Sequence, residues 1–183
     1  MNEVQPIRNI KHINAIKKAL HGRDRLLFIF GINSGLRISD ILKLKVGDVR
    51  GKESVAVKET KTSKAKYFKF DQAIKKAVQE LVPATAGDDE YLFKSRKGNN
   101  KPITRVAAWR ILNDAAERAG VADKIGALGT HSLRKSFGYH AYKKGTDITL
   151  LQSIFNHSSQ KDTLRYIGIN QDMIDEVYLN LNL

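Results

Sequence analysis

Apolar residues recur every three or four positions along the first part of the chain, which is the period of an α-helix. The first such stretch covers residues 10–20, and the second, residues 26–32, is apolar nearly all round. A helix that is apolar on every side is buried, so the second stretch predicts a central core helix that ends at Gly35. A third helix is predicted directly after it, with Arg37 at its N-terminus.

Between residues 46 and 70 the apolar period changes to two, the period of a β-strand. Turn-forming residues interrupt this pattern at residues 51–52 and 61–64. The pattern therefore predicts a small antiparallel sheet of two or three strands, with Lys61 and Lys64 at the tip of a hairpin.

Helical periods return after Asp71 and after Thr104, two side chains of the kind that cap helix N-termini. Residues 83–102, between these helices, are interpreted as a connection, because neither half of the chain would have a complete core alone. Trp109, the only tryptophan, is expected to have a packing role. The prediction is a mainly α fold with a small antiparallel β-sheet, an α+β class, in one domain over residues 1–183.

Three more helices are predicted towards the end of the chain. The first opens at Gly129-Thr130, and the second follows Thr146-Asp147 and ends at Asn156, a residue that tolerates the left-handed conformation of a C-cap. The third follows S-Q-K-D at residues 159–162, which resembles a capping box, and Tyr166 lies on this helix two turns later.

The charge balance indicates a polyanionic partner. Lysine and arginine number 32 against 19 aspartate and glutamate residues, a net charge of +13. Such a surplus is typical of a surface that binds nucleic acid or an anionic membrane. The apolar run at residues 26–32 is too short to span a bilayer and the chain shows no signal-peptide pattern, so we expect a cytoplasmic protein with no membrane partner.

The hairpin region concentrates this charge, since residues 43–69 carry nine basic and three acidic side chains. A charge run is most often a solvated face, but one that projects on a β-turn can lie along a DNA backbone. The lysines predicted to contact DNA are Lys43, Lys45, Lys58, Lys64 and Lys66.

The candidate chemistry must use oxygen or nitrogen, because the chain has no cysteine for a disulfide, a thiolate metal site or a thiol nucleophile. His131 and Arg134 are three residues apart, so they lie about 60° apart on a helix and can reach one anion. Each of them alone is more often a surface residue, as Tyr166 alone is more often structural. Arg37 beside Asp40 is by itself most often a surface ion pair.

The combination is more specific than its parts. Four motifs occur in one order: G-L-R-I-S-D at residues 35–40, a basic hairpin with T-K-T at residues 60–62, H-S-L-R at residues 131–134 and N-H-S-S at residues 156–159. Tyr166 follows His157 by nine residues. This set resembles the tyrosine recombinases, the phage integrase family, over essentially the whole chain.

The resemblance implies the family's mainly helical catalytic fold with a small antiparallel sheet on one edge. It also implies that the chain breaks and rejoins DNA strands through a 3′-phosphotyrosine intermediate. In that mechanism Arg37 and Arg134 clamp the scissile phosphate and Tyr166 is the nucleophile. Two guanidiniums neutralise the charge that grows on the phosphate oxygens, which is why both are needed.

The remaining implied roles concern protons and supporting contacts. A tyrosine hydroxyl, with an ordinary pKa of about 10, needs a base near neutral pH. His131 and Lys61 are implied to transfer protons, and Lys64 competes with Lys61, which the T-K-T motif favours. His157 is implied to donate to a phosphate oxygen, and Asp40 matches the family's acidic supporting position. Neither a metal nor another cofactor is implied.

Two features differ from the family pattern. Asn156 stands where the family more often has glycine, and the family's usual N-terminal DNA-clamping domain has no counterpart in this sequence. The resemblance is therefore to the short, single-domain members, which include fimbrial-switch recombinases, or to a fragment of a longer protein.

The implied partner is double-stranded DNA. The resemblance implies an oligomer on DNA, a tetrameric synapse, formed by a protein that is monomeric when free, and it leaves room for an accessory protein. Residues 170–183 form an acidic, apolar-striped tail, which is expected to pack on its own domain or on a neighbouring protomer. Three other interpretations stay open: a non-catalytic DNA-binding or regulatory protein that kept the fold, a topoisomerase-like nicking and resealing enzyme, and, remotely, a basic RNA-binding domain.

Overall fold

The structure is a computed structural model that describes residues 4–58, 65–129, 131–169, 173 and 178–180. Within these residues the elements follow one another as α1 (Ile10–Ala19), α2 (Gly22–Ser34), α3 (Ile38–Ile41), β1 (Ser54–Lys58), β2 (Ala65–Lys69), α4 (Gln72–Leu81), α5 (Arg105–Arg118), α6 (Ala122–Ile125), α7 (Ser132–Lys143), α8 (Ile148–Phe155) and α9 (Gln160–Tyr166).

Helix α2 is the centre of the fold, as its unbroken apolar run predicts. All five residues from Leu26 to Phe30 are buried, and the helix packs against α4 on one side and α7 on another. It ends at Gly35, which adopts the left-handed conformation with φ of 62°. This conformation favours glycine, and it turns the chain so that Arg37 stands at the N-cap position of α3.

Strands β1 and β2 form one antiparallel pair in which Ser54 lies opposite Lys69 and Val57 lies opposite Lys66. The inner face of β1 presents Val55 and Val57 to a core that includes α2, α3 and α4. The fold is therefore mainly helical with a two-stranded sheet, and the predicted fold class is confirmed.

The helices that carry the candidate site pack on a separate small core. Leu151, Phe155 and Ile167 form this core beneath α7, α8 and α9. Gly138 allows the close packing, because a Cβ at that position would lie 2.5 Å from Ile167 and 2.6 Å from Phe155. The absence of a side chain at Gly138 thus leaves room for buried side chains of the same protein.

Two details differ from the expectations. The short helix α6 was not predicted, and Trp109, which was expected to have a packing role, is 43% exposed on α5. In the described part of the chain, no helix is both long enough and apolar enough to cross a bilayer.

Candidate active site

Tyr166 occupies the last turn of α9, a helix that is well fixed at both ends. At its start, the Ser159 hydroxyl accepts a hydrogen bond from the Asp162 amide at 3.0 Å. At its end, the Gly168 amide donates to the Arg165 carbonyl at 3.1 Å and the next amide, of Ile169, donates to the Leu164 carbonyl at 3.0 Å. Together with the φ of 80° at Gly168, this pattern is a Schellman motif.

The Tyr166 hydroxyl lies 3.1 Å from Nδ1 of His131, within hydrogen-bond distance. His131 stands at the N-cap position of α7, where its side chain is exposed. In the tautomer that carries its proton on Nε2, Nδ1 accepts the hydrogen bond from the hydroxyl. This is the geometry of a general base beside its nucleophile.

Arg134 joins three separate pieces of the chain. Its side chain is 2% exposed, and Nη1 donates to the Gly35 carbonyl at 2.6 Å while Nη2 donates to the Phe155 carbonyl at 2.9 Å. The guanidinium also lies 4.7 Å from the centre of the Phe155 ring. These bonds connect the turn before Arg37 to the C-terminal end of α8, so Arg134 has a structural function whatever it binds.

Arg37 and Asp40 lie one turn apart around the short helix α3. Asp40 is completely buried and Arg37 is half-buried, so the interpretation of these two residues as a surface ion pair is wrong. A buried carboxylate requires nearby donors or cations, since an isolated one is costly to desolvate.

His157 projects from the turn that ends α8. Asn156 forms the left-handed C-cap that the sequence predicts, with φ of 54°. His157 Nδ1 lies 3.1 Å from Oγ1 of Thr163, and that hydroxyl donates to the Ser159 carbonyl at 2.9 Å. Because the hydroxyl proton is committed to the carbonyl, His157 Nδ1 must be the donor in the first bond.

The surroundings of Tyr166 act on its ionisation in opposite directions. Burial raises the pKa of the hydroxyl above its ordinary value, while the positive charges of Arg134 and Arg37 act to lower it. Both guanidiniums therefore lie close enough to influence this hydroxyl. The ring of His157 also lies beside the tyrosine, with 4.9 Å between ring centres.

The structure thus brings Arg37, His131, Arg134, His157 and Tyr166 together. Lys61 and Lys64 lie outside the described residues, so the choice between them as proton donor stays a prediction. Among the described residues there is no cluster of His, Asp and Glu side chains arranged to hold a metal ion.

The described lysines of the predicted DNA-contacting set differ in their surroundings. Lys43 and Lys58 are exposed, and Lys45 is exposed but pairs with Asp89 at 3.6 Å. The ammonium of Lys66 donates to the Ile154 carbonyl near the end of α8. Their contacts with DNA stay predictions.

Sequence reasoning missed Lys135, which is 4% exposed with its ammonium 5.2 Å from the centre of the Tyr166 ring. It also missed Thr163, the buried partner of His157. Lys135 directly follows Arg134 in the sequence, and this adjacency was a signal that could have identified it. The position of Thr163, six residues after His157 on another element, gave none.

Comparisons with known proteins identify the family of the chain. Residues 4–173 match the model of the phage integrase family. The probable integrase/recombinase YoeC of Bacillus subtilis (strain 168) is 45% identical over 181 residues, which is 97% of each chain. The tyrosine recombinase XerA of Pyrococcus furiosus is 28% identical over 88% of this chain and 55% of its own length.

Two solved structures share the fold. The crystal structure of XerA recombinase has a TM-score of 0.79 at 20% identity, and the match covers 100% of this chain and 66% of that one. The XerH site-specific recombinase in a post-cleavage complex with palindromic difH substrate has a TM-score of 0.71 at 22% identity, covering 98% of this chain and 54% of that one.

The fold and these similarities define the class of the protein, the tyrosine recombinases, which cleave and rejoin DNA. Within that class the chain belongs to the phage integrase family. It spans nearly the whole length of YoeC but about half the length of the Xer relative.

Proposed function

We propose that the protein is a site-specific DNA recombinase that cleaves and rejoins double-stranded DNA through a 3′-phosphotyrosine intermediate at Tyr166. The observation that carries this proposal is the 3.1 Å contact between the Tyr166 hydroxyl and His131 Nδ1, beside the buried Arg134. XerH, which shares the fold, was captured with its difH substrate in a post-cleavage complex, and this supports DNA as the substrate.

In the proposed cleavage step, Tyr166 Oη attacks the scissile phosphorus and its proton passes to His131. The bond between phosphorus and the 5′ oxygen breaks, and the 5′ oxygen takes a proton from Lys61. Charge that develops on the phosphate oxygens is balanced by Arg37 and Arg134. Rejoining reverses these steps with a 5′ hydroxyl as nucleophile. The phosphodiester bond energy is kept in the phosphotyrosine, so the cycle consumes no nucleotide.

The supporting contacts assign two further roles. His157 donates Nδ1–H to Thr163, so its Nε2 is the nitrogen left to face a phosphate oxygen, and it donates there only when the ring is an imidazolium. Asp40 is proposed to support Arg37, since it lies buried on α3 one turn after Arg37, the N-cap residue of that helix.

Lys43, Lys45, Lys58, Lys64 and Lys66 are proposed to contact the DNA backbone. For the active assembly we propose a tetrameric synapse on DNA, built from monomers and joined where required by an accessory protein. Residues 170–183, which lie mostly outside the described residues, are proposed to pack on a neighbouring protomer in that assembly.

The experiment is a trapping assay with nicked duplexes drawn from the DNA that flanks the gene. A nick next to the cleavage point lets a short product diffuse away, so a covalent complex accumulates. The parent protein should form this complex and Tyr166→Phe should not. Salt-sensitive DNA binding without any covalent complex in the parent would instead identify a non-catalytic DNA-binding protein.

A further inference from the structure

The residues before α1 form an N-terminal strap, residues 4–8, that is bonded to the helix carrying His131 and Arg134. Ile7, which is 1% exposed, donates its amide to the Ser136 hydroxyl at 2.7 Å. Its carbonyl lies 2.9 Å from Nε2 of His140. Ser136 and His140 both lie on α7, so the strap crosses this helix at a defined position.

The same strap contacts the turn that ends α9. Arg8 Nη2 donates to the Gly168 carbonyl at 2.9 Å, and its guanidinium lies 5.6 Å from the centre of the Tyr139 ring on α7. A Cβ on Gly168 would lie 3.1 Å from the Pro6 ring, which shows how closely the strap approaches. Gly168 is the left-handed residue of the Schellman motif, two positions after Tyr166.

The strap therefore links the two elements whose relative position determines the attack geometry. Helix α9 has seven residues, and a helix of this length has little stability of its own. The position of its last turn depends on what it packs against. Arg8 contacts that turn from one side while Ile7 holds α7.

We propose that Arg8 is a positioning residue for the cleavage reaction, which holds the last turn of α9 so that Tyr166 stays aligned with His131 and Arg134. This inference rests on the proposed function, in which Tyr166 is the nucleophile. Arg8 touches neither the reacting atoms nor Tyr166, and it acts through the Gly168 carbonyl.

The test compares Arg8→Ala with Arg8→Lys and with a matched control, Arg118→Ala. Arg118 is likewise exposed and likewise donates to a backbone carbonyl, that of Ala19 at 3.2 Å, but it lies on α5. Three quantities are measured: the single-turnover cleavage rate at saturating nicked DNA, the Kd for DNA with its salt dependence, and the Tm.

Arg8→Ala should slow cleavage by about fivefold to tenfold, because small misplacements of reacting groups cost much in rate while a solvent-exposed bond restrains the turn only partly. Arg8→Lys, which keeps one donor, should recover part of the rate. The Kd, its salt dependence and the Tm should match those of Arg118→Ala. Parental cleavage by Arg8→Ala would overturn the proposal. A weaker Kd with a smaller salt dependence would also overturn it, because Arg8 would then be a phosphate contact.

Hydrogen exchange supplies a readout that does not require cleavage. The amides of Gly168 and Ile169 close the Schellman motif, so they should exchange faster in Arg8→Ala and at the parental rate in Arg118→Ala. Unchanged exchange at these amides would refute the strap's role. If the parent protein cleaved no DNA, the proposed function would fail and this exchange measurement alone would decide whether Arg8 holds the turn.

Discussion

Gly138→Ala tests whether the alignment of the candidate site depends on the close packing of α7 against α8 and α9. The added Cβ would lie 2.5 Å from Cγ2 of Ile167 and 2.6 Å from two ring carbons of Phe155. Both neighbours are completely buried, so neither side chain can turn into solvent. Ile167 directly follows Tyr166, and Phe155 precedes His157 by two residues, so movement of either neighbour also displaces a site residue.

The size of the effect follows from these distances. An ordinary carbon–carbon contact is about 3.5 Å, so the helices must separate by about 1 Å. Overpacking of this kind costs about 1–3 kcal/mol, and the better helix propensity of alanine returns about 0.5–1 kcal/mol. We expect a net loss of about 0–2.5 kcal/mol of stability. A misplacement of about 1 Å at the reacting atoms lowers the cleavage rate by about 100-fold.

The assay is single-turnover cleavage of a nicked substrate together with thermal unfolding, with Gly87→Ala as the matched control. Gly87 has a negative φ, and a Cβ there would meet only the flexible Glu90 side chain at 3.8 Å. The control should keep parental cleavage and nearly parental stability. Parental cleavage by Gly138→Ala would refute the reasoning that this contact aligns Tyr166.

Two further predictions concern single residues. Burial raises the pKa of Tyr166. The tyrosinate absorbance that is present in the parent and missing in Tyr166→Phe should therefore appear above pH 10, and its appearance below pH 10 would contradict the assigned burial. In the unfolded chain Tyr166 has its ordinary pKa of about 10, so above this pH the unfolded state loses the proton first and the free energy of unfolding falls as the pH rises. Asn156 has a φ of 54°. The free energy of unfolding of Asn156→Gly should lie within about 0.5 kcal/mol of the parent value, whereas that of Asn156→Ala should be about 1 kcal/mol lower. Equal free energies for the two variants in denaturant titrations would count against the left-handed cap.

Local signals in the sequence predicted most of the helices. Asp71, Thr104 and Ser159 each accept a hydrogen bond from a backbone amide at the start of the helix they were expected to cap. Such caps depend on residues within one turn, so they can be recognised without knowledge of the fold. The left-handed Asn156 was predictable for the same reason.

Long-range packing was not predictable in this way. A packing role was expected for Trp109 from its type, but the sequence did not show that its side chain would lie partly in solvent while α5 buries other positions. The bond from Arg8 to the Gly168 carbonyl joins residues 160 positions apart, and no motif includes either residue. Contacts of this kind depend on how whole helices and strands pack together, and this packing cannot be read from the sequence unless the fold is already known.

The candidate site lies between these two cases. The spacing of His131 and Arg134 indicated that both could reach one group, and both side chains lie near the Tyr166 hydroxyl. The motif order brought in Arg37. The structural function of Arg134, which binds the Gly35 and Phe155 carbonyls, depends on three distant segments and was not foreseen.

The central claim is that Tyr166 is the nucleophile, and the most direct measurement is peptide mapping of the trapped covalent complex by mass spectrometry. Trypsin cleaves after Arg165, so one peptide, residues 166–183, contains both Tyr166 and Tyr178, and fragment ions must separate them. The account predicts that the nucleotide remnant is attached to Tyr166. A remnant on Tyr178, or on Tyr142 in a different peptide, would contradict it.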